Sequence, residues 1–533
     1  MSQQSSEEVD IIDQRSEQFH VAIIGAGIGG LATALRLAAA GYAVTVVESA
    51  DHPGGKIRTL PSAAGPVDTG PTVLTMKPVF EALFADAGER LDDHLTLHEL
   101  SVIARHYWED GTQFDLTSDR AETVSNVRAA FGSNAVAEFE QVTSRAARLF
   151  EAFDAPMMKA ADPSSLSMAA VVAKSPRLIL DMAPLASLAR MLDGAFTDRR
   201  LAQLFGRYAT YVGGSPQGSP ALLALISEAE ARGVWSVEGG MGELARTIAE
   251  LARAKGARFL FGTEVQSIEI RDGRATGIVT GTGRISADAV VFNGDPRAIH
   301  GGLMGDDARN AVPAAAVEPR SLSAWVHAFA ARPTGPDLAY HTVFFGSEPN
   351  AEFVRLDRGQ HPSDATLYVC AQDRATAARP DGPERFEIIL NGVPSNAIAE
   401  TEEEVRACQK QVFDRLAAFG LTFDPVPGPQ TLSSPTEFAR LFPASKGSLY
   451  GRSPHGLTAG LKRPRARTTI QGLYLCGGGA HPGAGVPMAT LSGRHAAEAI
   501  GADLASLSKS RPTAMPGGMS TGSRMTASAQ SRS

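Results

Sequence analysis

Cysteine is nearly missing from this 533-residue chain. Cys370, Cys408 and Cys476 are far apart and form no CxxC pair, so a disulfide framework, a dithiol redox centre and a thiolate metal site are all excluded. No H-E-x-x-H helix, metal-ligand cluster or catalytic triad stands out, and no metal is expected. Basic blocks are also absent, and a formal net charge of −8 argues against nucleic acid as a partner. The first eighteen residues lack the basic start and apolar core of a signal peptide and are expected to form a disordered tail. The Ser-, Thr-, Gly-, Pro- and Met-rich segment 506–533 is expected to form another. Long uninterrupted apolar runs are missing too. The most apolar window, 21–41, contains Arg36 and five glycines, so it reads as strand plus helix, and no transmembrane span is expected.

Glycine, by contrast, is abundant and placed with purpose. Residues 20–24 form a continuous apolar run of the kind buried on both faces of a parallel sheet. Gly25-Ala26-Gly27-Ile28-x-Gly30 follows at once, then a helical run over 31–40 closed by Gly41 and a second strand ending in Glu48. In a dinucleotide fold Gly25 makes the turn, Gly27 admits the pyrophosphate, and Gly30 lets helix and strand pack closely. Glu48 stands where a carboxylate binds ribose hydroxyls. Two further turns extend the pattern: Gly54-Gly55-Lys56, and Asp68-Thr69-Gly70-Pro71-Thr72. A second glycine loop lies near the other end of the chain, Cys476-Gly477-Gly478-Gly479-Ala480-His481-Pro482-Gly483-Ala484-Gly485, entering a helix through Val486, Pro487 and Met488 and running to about 500. The first loop alone leaves nicotinamide and flavin open; a plain nicotinamide enzyme needs none of the added turns. No second complete fingerprint exists, so NAD(P)H is not expected as a partner.

These motifs, in this order and spanning about 19–503, resemble the FAD-dependent carotenoid (phytoene-type) desaturases within the amine-oxidase-like flavoproteins. The resemblance implies an α/β Rossmann-type FAD-binding domain assembled from discontinuous segments 19–100, 230–300 and 441–505. It implies an α+β substrate domain from 101–229 and 301–440, whose mixed or antiparallel sheet roofs the flavin. It implies non-covalent FAD held by Gly25, Ala26, Gly27, Ile28, Gly30, Glu48, Gly55, Lys56, Gly70, Pro71, Thr72, Gly478, Gly479, Val486, Pro487 and Met488. A strand over 257–265 would return to the nucleotide domain and bring Val265 to the adenine, and 289–293 would be the closing strand. Two departures stand out: Lys56 replaces the usual Arg, a point charge for a bidentate phosphate contact, and Ala480 precedes His481-Pro482 where phytoene desaturases have Thr. The segments around Tyr211-Val-Gly-Gly, Pro220 and Gly233-Val-Trp235 look most like the branch that makes the C3–C4 double bond of 1-hydroxy- or 1-methoxy-carotenoids.

The expected substrate is therefore a lipophilic C40 carotenoid, with phytoene or neurosporene desaturation or isomerisation as the alternative. Oxygen or a membrane quinone would reoxidise the flavin. Strands are expected over 103–108, 323–328, 366–370 and 386–390, and helices over 135–153 and 402–418. Hydride transfer to flavin needs little from side chains beyond positioning, and no catalytic residue is assigned. The helix starting near Val486 would stabilise charge on the reduced ring by its dipole, and His481 is expected to be structural. Leu178, Ile179, Leu180, Leu185 and Leu188, interspersed with Lys174, Arg177 and Arg190, read either as a helix pair on the core or as an interfacial element guarding a tunnel on a membrane surface. The latter places the protein peripherally on the cytoplasmic side of the inner or photosynthetic membrane. A prenyl-lipid carrier of the same fold without flavin, and an amine oxidase, are the other readings.

Overall fold

The computed structural model describes residues 18–376, 378–394 and 400–509. Most of both expected tails lies outside these residues.

The nucleotide half is built on a five-stranded parallel sheet. Its strands are β1 (His20–Ile24), β2 (Ala43–Val47), β3 (Arg258–Leu260), β4 (Ala289–Phe292) and β5 (Leu473–Leu475), in the order β3-β2-β1-β4-β5. Val21, Ala22, Ile23, Val46, Val290 and Val291 are fully buried in it, as strands covered on both faces require. Three helices pack beside it: α1 (Ile28–Ala39), α2 (Met241–Ala254) and α3 (Val486–Lys509). Helix α3 runs past the expected end near 500 and into the segment expected to be disordered from 506.

One expected strand is two. Residues 257–265 break at Gly262, where φ is +62°, a conformation glycine adopts without strain. The first part is β3; Val265–Arg271 instead begins a three-stranded antiparallel sheet with Arg274–Thr280 and Gly283–Ser286.

The other large sheet is mixed and mainly antiparallel. Its order is Thr422–Asp424, Ser323–Thr334, Glu384–Gly392, Leu367–Ala371, His341–Phe344, Val102–Tyr107 and Gln113–Thr117, with Leu432–Ser433 on the flank. The pairing of His341–Phe344 with Val102–Tyr107 is parallel. Alternation sends Ala324, Val326, Val343, Tyr368, Glu387, Ile389 and Asn391 toward the interior cavity. Helices Ser133–Phe153, Leu188–Ala195 and Arg199–Gly206 cover the remaining sides of that cavity.

Candidate active site

Helix α1 opens without a side-chain cap: Gly27 is its N-cap residue, and no acid lies in the first turn. Its leading N–H groups therefore face the cavity as an anion site. Gly25 holds φ at +95°. Behind the loop, Asn293 Nδ2 donates to the carbonyls of Gly25 (3.1 Å) and Gly27 (3.2 Å). A Cβ on Gly30 would stand 2.2 Å from the Gly25 carbonyl oxygen, and one on Gly29 would stand 2.6 Å from the Gly477 nitrogen. Gly30 thus serves packing rather than ligand contact, and Gly29 is where the two glycine loops meet. Glu48 accepts the Ala26 N–H at Oε2 (2.6 Å) and the Ala50 N–H at Oε1 (2.9 Å), which fixes its carboxylate at the cavity edge.

A single cavity of about 2150 Å³ joins these elements. Small-ligand pockets hold ~300–1,000 Å³, so this one has room for a dinucleotide and a second long molecule. Of the residues expected at the cofactor, Gly25, Gly27, Ile28, Glu48, Gly55, Lys56, Gly70, Pro71, Thr72, Val265, Gly478, Gly479, Val486, Pro487 and Met488 line it. Ala26 and Gly30 do not; both lie behind the loop surface. Beyond the glycine loops the lining turns apolar, with Trp108, Phe150, Phe153, Phe196, Leu222 and Phe345 among the walls.

The C-terminal loop is held from behind. The Arg463 guanidinium donates to the carbonyls of Gly478 (2.9 Å), Tyr450 (2.8 Å) and Arg452 (2.9 Å), and burial lowers its pKa to about 10. His481 is buried, hydrogen-bonded through Nε2 to the Ala160 carbonyl (2.9 Å) and stacked on His495; burial takes its pKa down to about 4. These are the contacts of a scaffold residue. Gly485 has φ +106° and open space where a Cβ would stand, just before α3, whose first turn carries no acid. Lys56 points its ammonium at the Leu449 carbonyl (2.6 Å) and the Phe442 ring, and burial lowers its pKa to about 8. Cys370, Cys408 and Cys476 are not among the lining residues.

Polar groups beyond those expected from the sequence also border the cavity. The Tyr368 hydroxyl joins Thr72 Oγ1 (2.8 Å) to His341 Nδ1 (2.6 Å), and burial keeps His341 neutral with a pKa of about 3. Arg207 donates to the Tyr211 hydroxyl (2.7 Å), which donates in turn to Glu230 (2.7 Å). Glu387 is fully buried and lines the cavity. The available signal was a charge inside an otherwise apolar strand, Phe386-Glu387-Ile388-Ile389-Leu390.

An uncapped helix start, a glycine cradle that side chains would fill, a fixed carboxylate and a second loop with its own helix all fit a bound FAD. The comparisons agree. The family profile described as flavin containing amine oxidoreductase matches residues 28–501. The hydroxyneurosporene desaturase of Cereibacter sphaeroides is 54% identical over 92% of this chain and 99% of its own length. That of Rhodobacter capsulatus is 47% identical over the same shares. A putrescine oxidase structure superposes with a TM-score of 0.58 at 17% identity, covering 91% of this chain and 99% of its own, a likeness of fold. The chain belongs to the flavin-containing amine oxidoreductase family, on the carotenoid-desaturase branch that the two bacterial relatives represent, and its cofactor is FAD.

Proposed function

We propose that the protein desaturates an acyclic carotenoid, forming the C3–C4 double bond of a 1-hydroxy- or 1-methoxy-neurosporene-type substrate in carotenoid biosynthesis. The observation that carries this reading is the continuity of one cavity from the glycine loops into an apolar chamber. When bound, FAD supplies two-electron oxidising chemistry, the removal of two hydrogens from adjacent carbons. The chain supplies the rest. Apolar walls at Phe150, Phe153, Phe196 and Phe345 hold a polyene and exclude water. The Thr72–Tyr368–His341 chain fixes the turn beside the ring. The start of α3, free of acids, favours negative charge where it develops. A carrier without flavin would need none of the glycine cradle, and the intact cradle sets that reading aside.

Docking on a membrane is part of the same proposal. Among the described residues no helix is long and apolar enough to cross a bilayer, while a C40 hydrocarbon partitions into one. Leu166, Leu180 and Leu185 are 83%, 77% and 97% exposed, and Lys174, Arg177 and Arg190 are exposed around them. This is an apolar tip in a cationic rim, suited to an anionic lipid surface. Met157, Met158, Pro163 and Met168 of the adjoining stretch line the cavity, so the same region serves as surface and wall. The proposed site of action is the cytoplasmic side of the membrane, with oxygen or a quinone as electron acceptor.

The test is anaerobic incubation of the FAD-loaded protein with 1-hydroxyneurosporene, neurosporene and phytoene. Flavin bleaching with a red-shifted product from the first substrate is expected. Equal turnover of phytoene refutes the C3–C4 assignment, and no bleaching with any of the three refutes desaturation.

A further inference from the structure

Glu387 has no structural employment. It sits mid-strand in Glu384–Gly392, 0% exposed, on the face turned to the cavity. Among the described residues neither carboxyl oxygen has a hydrogen-bond partner. The Gly70 amide is close enough to lower the Glu387 pKa, but it does not hydrogen-bond the carboxyl group. The nearby charged groups do not hydrogen-bond it: Arg58 Nη2 donates to Ser433 Oγ (2.6 Å) and its buried Nε has no partner, so the guanidinium acts on Glu387 only through its charge, while Asp68 accepts the Met241 N–H (2.7 Å). Glu352 shows what a structural carboxyl looks like in the same cavity, since it accepts from the Thr366 N–H (3.1 Å) and Asn391 Nδ2 (2.9 Å). Burial raises the Glu387 pKa well above its ordinary value, which favours the protonated acid, a group with one donor and a carbonyl oxygen.

Its position matters as much as its state. Glu387 pairs with Cys370 across the ladder, two residues along from the Tyr368–Ile389 pair, so Glu387 and Tyr368 share a face. Tyr368 on that face bonds Thr72, and Gly70 lies beside Glu387. Glu387 therefore faces the turn that borders the flavin end of the cavity, not the distant apolar chamber. A substrate oxidised two carbons away from an oxygenated C1 must bring that oxygen close to the same place. A neutral carboxylic acid suits a tertiary hydroxyl, giving and receiving one hydrogen bond, or an ether, giving one.

We propose that Glu387 is the specificity-determining residue that hydrogen-bonds the oxygen at the substrate end-group and thereby sets which carbon–carbon bond lies against the flavin. This rests on the desaturase reading. The deciding comparison uses FAD-loaded wild type, Glu387→Gln and Glu387→Leu, assayed with 1-hydroxyneurosporene and with neurosporene, which lacks the oxygen. Flavin content and melting temperature are recorded for each. The readout is the ratio of kcat/KM for the two substrates, together with equilibrium binding of each carotenoid by quenching of tryptophan fluorescence. Leu is expected to lower the wild-type ratio by about tenfold or more, as loss of a hydrogen bond to a buried group implies. Gln, which keeps a donor and an acceptor, is expected to restore most of it. If Leu leaves both the turnover ratio and the binding ratio unchanged, Glu387 does not read the end-group. A wild type inert toward both carotenoids overturns the desaturase reading itself, and with it this proposal; a wild type with no preference for the hydroxylated substrate overturns the proposal alone.

Discussion

Replacing Glu48 separates cofactor recognition from loop stability. Its two carboxylate oxygens serve different backbone donors, Ala26 N–H at 2.6 Å and Ala50 N–H at 2.9 Å, while the group still borders the cavity. Glu48→Ala strips both donors of their acceptor; Ala26 is fully buried, and leaving such an N–H unpaired costs about 1–3 kcal/mol of fold stability. Glu48→Gln helps incompletely, because an amide offers one oxygen where two donors need two, and its NH₂ opposes one of them. A contact with the ribose of FAD would be a further charge-assisted bond, about 1.5–3 kcal/mol. At 1.4 kcal/mol per decade this is roughly a 10- to 150-fold rise in the FAD dissociation constant. The apoproteins are titrated with FAD by flavin fluorescence and melted in parallel. Both variants are expected to melt lower, and Ala to bind FAD at least about tenfold more weakly. A Glu48→Ala protein that melts lower yet binds FAD within twofold of wild type would refute the ribose assignment and leave Glu48 as a loop clamp.

Two further outcomes are expected. Burial lowers Lys56 to about 8, so between pH 8 and its ordinary value near ~10.4 the unfolded chain holds a proton that the folded apoprotein does not, and apoprotein stability attributable to this residue rises with pH across that window. Anionic FAD favours the charged lysine, so FAD affinity is expected to fall as pH rises above 8, by up to about tenfold per unit; Lys56→Met is expected to flatten that slope, and an identical slope in the variant excludes a phosphate role for Lys56. Leu180→Glu with Leu185→Glu puts charges on side chains that are 77% and 97% exposed. Co-sedimentation with anionic liposomes is expected to be lost with melting temperature unchanged, and undiminished sedimentation counts against this tip as the docking element.

What sequence could reveal follows from the range of the interactions concerned. Strands β1, β2 and β4, the glycine turn and Glu48 are local patterns, and each is found within a residue or two of its expected place. Helix Glu402–Ala418 is likewise local, opened by a Thr401–Glu404 capping box. The strand expected over 257–265 failed because its apolar run crosses Gly262 and serves two sheets, and which sheet claims a residue is decided by tertiary pairing. Asn293 and Glu387 were missed for a different reason. An asparagine after a strand is unremarkable in one dimension, and a glutamate within an apolar strand is odd without saying what it faces. They acquire meaning only when folding places Asn293 under Gly25 and Gly27, and Glu387 inside a cavity.

The two glycine loops owe their proximity to the absence of side chains. Gly29 abuts Gly477, and Gly493 of α3 would carry its Cβ 2.5 Å from the Gly29 carbonyl oxygen; Thr33 Oγ1 also donates to the Gly493 carbonyl at 3.2 Å. Helix α3 can approach α1 this closely only with glycine at 493, and loop 477–485 can lie beside loop 25–30 only with glycine at 29. The anion site at the start of α1 and the helix end near the proposed flavin ring are therefore one rigid unit across more than four hundred residues of sequence. Any substitution that forces α1 and α3 apart acts on both halves of the cofactor site at once. Glycine at 29, 30 and 493 is a requirement of close packing, whereas Gly25 and Gly27 also line the cavity where a nucleotide would lie.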